Sequence, residues 1–182
     1  MKLFSEGGKL ANGLIRLDGQ KTREPGFFQK RKLKKAKGLF ELAAKEDPEN
    51  GAPYLMIGKI EERLGNHKEY LSNLQKAWLL EPGNLILIIE LSGAYGLLGK
   101  HDEAISVLLE GRKNYPNEPR VLSNLGISFL LTGQSAHAVE IFQEIVEIEP
   151  DYEMNHKLLA YSKDVYEGNK PHPKDTRGKG KY

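Results

Sequence analysis

Pro48, Pro82, Pro116 and Pro150 stand 34 residues apart along this 182-residue chain. A strict period of that length means that one supersecondary unit is repeated and stacked, each copy covering the apolar face of its neighbour. The interval is that of a helical solenoid. Gly65, Gly99 and Gly133 recur seventeen residues before three of the prolines, where a short turn must join two helices. Ala36, Ala104 and Ala138 lie twelve residues ahead of a proline, and Tyr70 breaks their series. Phe40, Leu74, Leu108 and Phe142 hold a bulky apolar position eight residues before each proline.

Small residues let two helix backbones approach, and apolar residues at three- and four-residue spacing fill the space beside them. Tyr70 in place of alanine is therefore expected to widen one contact. Asn50, Asn84 and Asn117 precede the first helix of each unit, where an amide oxygen can accept from an unpaired backbone N–H. Each closing proline ends the second helix, because it cannot continue the hydrogen-bond ladder. Together these signals predict helices over 27–46, 51–64, 67–80, 85–98, 101–114, 119–132, 135–148 and 151–166.

The pattern resembles the tetratricopeptide repeat. Unit 51–84 carries it through Tyr54, Ile57, Gly58, Gly65, Leu74, Ala77 and Pro82, and unit 85–118 through Ile88, Leu91, Tyr95, Gly99, Ala104, Leu108 and Pro116. Unit 119–152 carries it through Leu122, Leu125, Gly126, Phe129, Gly133, Ala138, Phe142 and Pro150. A partial repeat running to residue 50 matches only in its second half, and 151–166 reads as a capping helix. The resemblance implies an all-α, right-handed superhelical solenoid of helix-turn-helix repeats over 27–166. Glycine-rich residues 1–26 are expected to form an irregular arm, with an extended piece near Leu14 to Leu17. Residues 167–182 read as a disordered basic tail.

Nothing in the sequence points to catalysis. The five histidines make no His-Glu-x-x-His spacing, and there is no cysteine, so no metal set is expected. Ser123 and Ser128 have no base at helical spacing, and no phosphate-binding Gly-x-x-x-x-Gly-Lys loop occurs. Glu61 and Glu62 read as a solvated helix flank. No cofactor and no small-molecule substrate are expected. The chain has no signal-peptide-like start and no apolar run long enough for a bilayer, so a cytoplasmic location is expected.

Function then falls to surfaces. In proteins with this repeat the concave side is lined by the first helix of each unit, and the resemblance places Leu55, Met56, Lys59, Ile86, Ile89, Glu90, Arg120, Ser123, Asn124, Ile127 and Leu130 in that groove. The run 85–89, Leu-Ile-Leu-Ile-Ile, makes the groove apolar, and such a surface calls for an occupant. Three are open: a partner's peptide or amphipathic helix, the chain's own arm through Leu10, Leu14, Ile15 and Leu17, or a second copy of the chain. The reading placed first is a non-catalytic adaptor or assembly factor binding a protein segment. The competing reading is an electrostatic tether to RNA or an anionic membrane. Residues 21–38 carry eight basic side chains and one acidic, including Lys30, Arg31, Lys32, Lys34, Lys35 and Lys37, whereas 39–162 carry ten basic and nineteen acidic. Lys170, Lys174, Arg177, Lys179 and Lys181 extend that reading into the tail. A carboxylate clamp for a chaperone tail fits poorly, since Glu90 would repel the carboxylate.

Overall fold

Each unit becomes two helices because a glycine stops the first and a proline turn stops the second. The structure is a computed structural model that describes residues 1–16 and 24–174. Among them are nine helices and no strand: α1 (Lys2–Ala11), α2 (Phe27–Glu46), α3 (Gly51–Leu64), α4 (His67–Leu80), α5 (Leu85–Leu97), α6 (His101–Asn114), α7 (Pro119–Leu131), α8 (Ser135–Ile148) and α9 (Glu153–Tyr166).

Gly65, Gly99 and Gly133 adopt φ of 83°, 70° and 78°, left-handed geometry open to glycine at little cost. The next residue's N–H then reaches back across the helix end: Asn66 to the Glu61 carbonyl (2.9 Å), Lys100 to Tyr95 (2.9 Å) and Gln134 to Phe129 (2.8 Å). Asn50 Oδ1 accepts from the Ala52 N–H and Asn84 Oδ1 from that of Ile86, both at 3.0 Å, so two of the expected caps form. Asn117 does not cap α7. The residue in phase with Asn50 and Asn84 is Glu118, followed by Pro119 at the first turn of the helix.

The chain divides into two compact units, Met1–Ala94 and Tyr95–Tyr182. In the first, α1 packs on α2, α2 on α3 and α3 on α4, around Leu33, Ala36, Phe40, Ile57 and Ile60. In the second, α6 packs on α7, α7 on α8 and α8 on α9, with Leu122, Leu125, Phe142 and Ile145 fully buried.

Two expectations need correction. Residues 2–11 are helix, not an irregular arm, despite Gly7 and Gly8. Gly7 lies against the Phe40 ring, whose atoms come within 3.0 Å of where a β-carbon would stand, and Phe4 meets that ring edge-on at 5.2 Å. Gly58 in α3 faces Leu74, and Gly126 in α7 faces Phe142, at the same phase as Phe40. Thus α1 is the missing first helix of the partial repeat, displaced toward the N-terminus. Near Leu14 the backbone turns instead of extending: the Leu14 and Ile15 N–H groups both donate to the Ala11 carbonyl. Leu17 and Gly19 lie outside the described residues. The second correction concerns α9, which starts at Glu153 and buries Asn155, Leu159, Ser162 and Val165. Met154, in its first turn, is exposed instead of joining them.

Candidate functional site

Helices α3, α5 and α7 position the expected groove residues, and the structure sorts them into three kinds. Leu55 and Leu130 are buried in their own units and offer nothing to a partner. Met56 is half-buried against a cluster that also takes Leu10, Leu14 and Ile15 of the N-terminal segment. Arg63 holds that segment down by donating from Nε to the Leu14 carbonyl at 2.8 Å. Ile86 remains 36% exposed, with Ile89 half-buried on the same face of α5.

Lys59 and Glu90 are not groove residues in any accessible sense, at 2% and 5% exposure. Lys59 Nζ lies 2.7 Å from Glu90 Oε2 and 2.6 Å from Glu62 Oε2. The Tyr70 hydroxyl donates to Glu90 Oε2 at 2.6 Å. The side chain that broke the alanine series therefore closes a buried ionic network joining α3, α4 and α5. Burial, with the negative charges of Glu90 and Glu62, pushes the Tyr70 phenol well above its ordinary range. Glu90 Oε1 is buried without a hydrogen-bond partner. Sequence mapping missed this network because it treated positions 59 and 90 as solvent-facing. The off-pattern Tyr70, with opposite charges at 59 and 90, was the available signal.

Glu61, read as a solvated flank, is also buried. It accepts from Asn66 Nδ2 at 2.6 Å and pairs with Lys37 Nζ at 2.6 Å. The hydrogen bond to Glu61 raises the Lys37 ammonium above its usual range, against the opposing effect of burial. Lys37 thus leaves the basic patch for a structural role. Lys30, Arg31, Lys32, Lys34 and Lys35 are all exposed, and just before them stand Phe27 and Phe28 in water, which the sequence reading passed over.

In the second unit Arg120 is exposed and pairs with Glu118 at 2.6 Å. Ser123, Asn124 and Ile127 are half-buried along α7. Among the described residues no group of histidines and carboxylates is arranged to hold a metal, and no helix is long and apolar enough to cross a membrane. Of the tail cations, Lys170 pairs with Asp164 at 2.6 Å and Lys174 is exposed. Arg177, Lys179 and Lys181 lie outside the described residues.

The tetratricopeptide repeat family model matches residues 119–152, the bounds that the proline period gives for the third full unit. That unit is a tetratricopeptide repeat. A curated relative, small glutamine-rich tetratricopeptide repeat-containing protein 2 of Mycosarcoma maydis, is 33% identical over 89 residues. That stretch is 49% of this chain and only 25% of the relative. Among solved structures, MamA from Desulfovibrio magneticus superposes with a TM-score of 0.72 at 15% identity, covering 92% of this chain and 85% of that one. YrrB, described as a tetratricopeptide repeat protein with an unusual peptide-binding site, superposes at 0.61 with 25% identity over 76% of this chain and 69% of its own. The fold is thus the all-α fold of tetratricopeptide repeat proteins, which generally mediate protein–protein interactions and are typically non-catalytic scaffolds.

Proposed function

We propose that this chain is a non-catalytic adaptor that binds a partner's helix or extended segment on the exposed apolar stripe of α5, formed by Ile86, Ile89 and Gly93. The stripe carries the proposal. These residues fall at three- and four-residue spacing on one helix face, and Gly93 is exposed with nothing within 4 Å of where its β-carbon would stand. An apolar ledge beside an open glycine suits the close approach of another backbone carrying apolar anchors. The buried Lys59–Glu90 pair fixes α5 to α3 next to the stripe, so the surface is held ready before binding. The site is narrower than the sequence mapping drew it, since Leu55, Lys59, Glu90 and Leu130 are engaged internally. Ser123, Asn124 and Ile127 of α7 offer a second, more polar surface for the same class of partner.

Two variants test this against the native chain in parallel pull-downs from one extract. Ile86→Asp removes the apolar anchor, and Gly93→Arg fills the ledge without displacing any packed atom. Both are expected to lose the retained partner while keeping native helicity by circular dichroism. Retention unchanged in both variants would refute the site, and sedimentation of the same samples separates partner binding from self-association.

A further inference from the structure

The outward face of α2 combines features that neither the repeat packing nor the α5 stripe uses. Its buried side is Leu33, Ala36, Phe40, Ala43 and Ala44. The opposite side bears Phe27 and Phe28, each 77% exposed, and Leu42 at 47%. Arg31, Lys34 and Lys35 are interspersed on the same side, all exposed. A soluble helix seldom leaves two adjacent phenylalanines in water. Here they pack edge to face on each other, 5.6 Å apart at 80°. Beside Phe28, between the end of α1 and the start of α2, opens a cleft of about 250 Å³ with Lys9 and Lys32 on its rim.

We infer that this face of α2 is a docking surface for an anionic lipid bilayer, with Phe27 and Phe28 entering the interface and Arg31, Lys34 and Lys35 pairing with headgroup phosphates and carboxylates. Charge complementarity selects this occupant. A second copy of the chain would set the same cations against one another, which disfavours a symmetric contact. RNA would use the cations but not Leu42, and the two rings meet edge to face instead of lying parallel and spread to receive bases. Gln29, the neighbouring amide, is committed to the helix start, where its Oε1 accepts from the Gly26 N–H at 3.0 Å. A bilayer uses all of these groups: aromatic and aliphatic side chains sink past the headgroups while long cationic ones reach up to the phosphates.

Vesicle flotation of the full chain tests this directly. It is expected to float with phosphatidylcholine vesicles containing phosphatidylserine, and to do so far less with phosphatidylcholine alone or at raised salt. Phe27→Ala with Phe28→Ala is expected to weaken partitioning about tenfold or more. Lys34→Glu with Lys35→Glu is expected to weaken it at least about fivefold per charge removed. Both pairs are solvent-facing, and circular dichroism of each variant checks that it stays folded. In a Phe28→Trp variant, indole emission is expected to shift to the blue on anionic vesicles and to be quenched by brominated acyl chains. Equal flotation with neutral and anionic vesicles, no flotation, or alanine variants that partition like the native chain would overturn the inference. So would binding of single-stranded RNA that competes with the vesicles and ignores the phenylalanine substitutions. Ile86→Asp is expected to leave flotation unchanged, which keeps this result separate from the α5 proposal.

Discussion

The two units fill the same repeat positions with opposite chemistry. In the first, three of these positions hold Lys59, Tyr70 and Glu90, bonded to one another in the interior. Two periods on, in the second, they hold Ile127, Ala138 and Leu158. One scaffold therefore tolerates a buried ionic network or an apolar set at the same station. The difference lies in what each can lose. An apolar set weakens in proportion to the surface removed, whereas an ionic network fails when one member leaves the others uncompensated. Glu90→Leu should accordingly cost about 3 kcal/mol in urea unfolding, because Lys59 stays buried with only the half-exposed Glu62 for company. Replacing the three together, Lys59→Met, Tyr70→Phe and Glu90→Leu, should restore most of that loss or exceed native stability. If the single and triple variants unfold alike, the network is not a unit and the contrast disappears.

Glycine sharpens the comparison from the other side. In the second unit a β-carbon on Gly126 would meet the Phe142 ring at 2.8–3.1 Å, whereas in the first one on Gly58 would meet Leu74 at 3.4 Å, an ordinary contact. Phe142 is fully buried and cannot swing away. Gly126→Ala is expected to cost about 1–3 kcal/mol through overpacking. Gly58→Ala should be close to neutral, the helix-propensity gain offsetting a small shift of Leu74. Thermal melts of the two variants order them; a Gly126→Ala chain melting at or above the Gly58→Ala chain would contradict the packing difference.

The period made the pairing of helices legible, because prolines, glycines and small residues act locally and at fixed stations. It hid α1, since that helix is out of phase with the other first helices and rich in glycine. Only the Phe40 ring, supplied by α2, explains why glycine is wanted at position 7. The candidate surface was less legible than the fold. Repeat position identifies which helix faces a groove, but not whether two charges on neighbouring repeats will find each other and leave it. Lys59 with Glu90 and Lys37 with Glu61 each join groups more than twenty residues apart. Exposure of Phe27 and Phe28 had no signal in the period at all, because they precede the part of α2 that repeats.

Tyr70 gives the network a pH signature that the alanine-bearing junctions lack. Its phenol is raised in the folded chain, so above about pH 10 the unfolded chain gives up this proton while the native chain keeps it. Native binding of the extra proton means that stability is full below pH 10 and falls as pH rises beyond it. Lys37, also raised, adds in the same direction, but its side chain is partly exposed and its share is small. Tyr70→Phe should cost about 1–2 kcal/mol at neutral pH through the lost hydrogen bond to Glu90, and should make the alkaline decline shallower. Urea unfolding at pH 8, 10 and 11 measures both; an unchanged alkaline slope would mean that Tyr70 does not hold its proton there.

A smaller effect again is expected at Gly93, which occupies in the next repeat the station of Lys59. Where Lys59 is sealed by Glu90 and Tyr70, Gly93 opens on empty space. An exposed helix-interior glycine costs about 0.5–1 kcal/mol relative to alanine, and nothing within this unit's packing calls for it. Gly93→Ala is therefore expected to raise stability by about that amount in thermal melts while a β-carbon begins to crowd the ledge beside Ile86 and Ile89. A variant that is more stable yet binds its partner more weakly would show that the glycine serves the surface at the expense of the helix. Stability that falls on adding the methyl group would instead place Gly93 inside the packing, and the α5 stripe would lose the open edge on which its function is proposed.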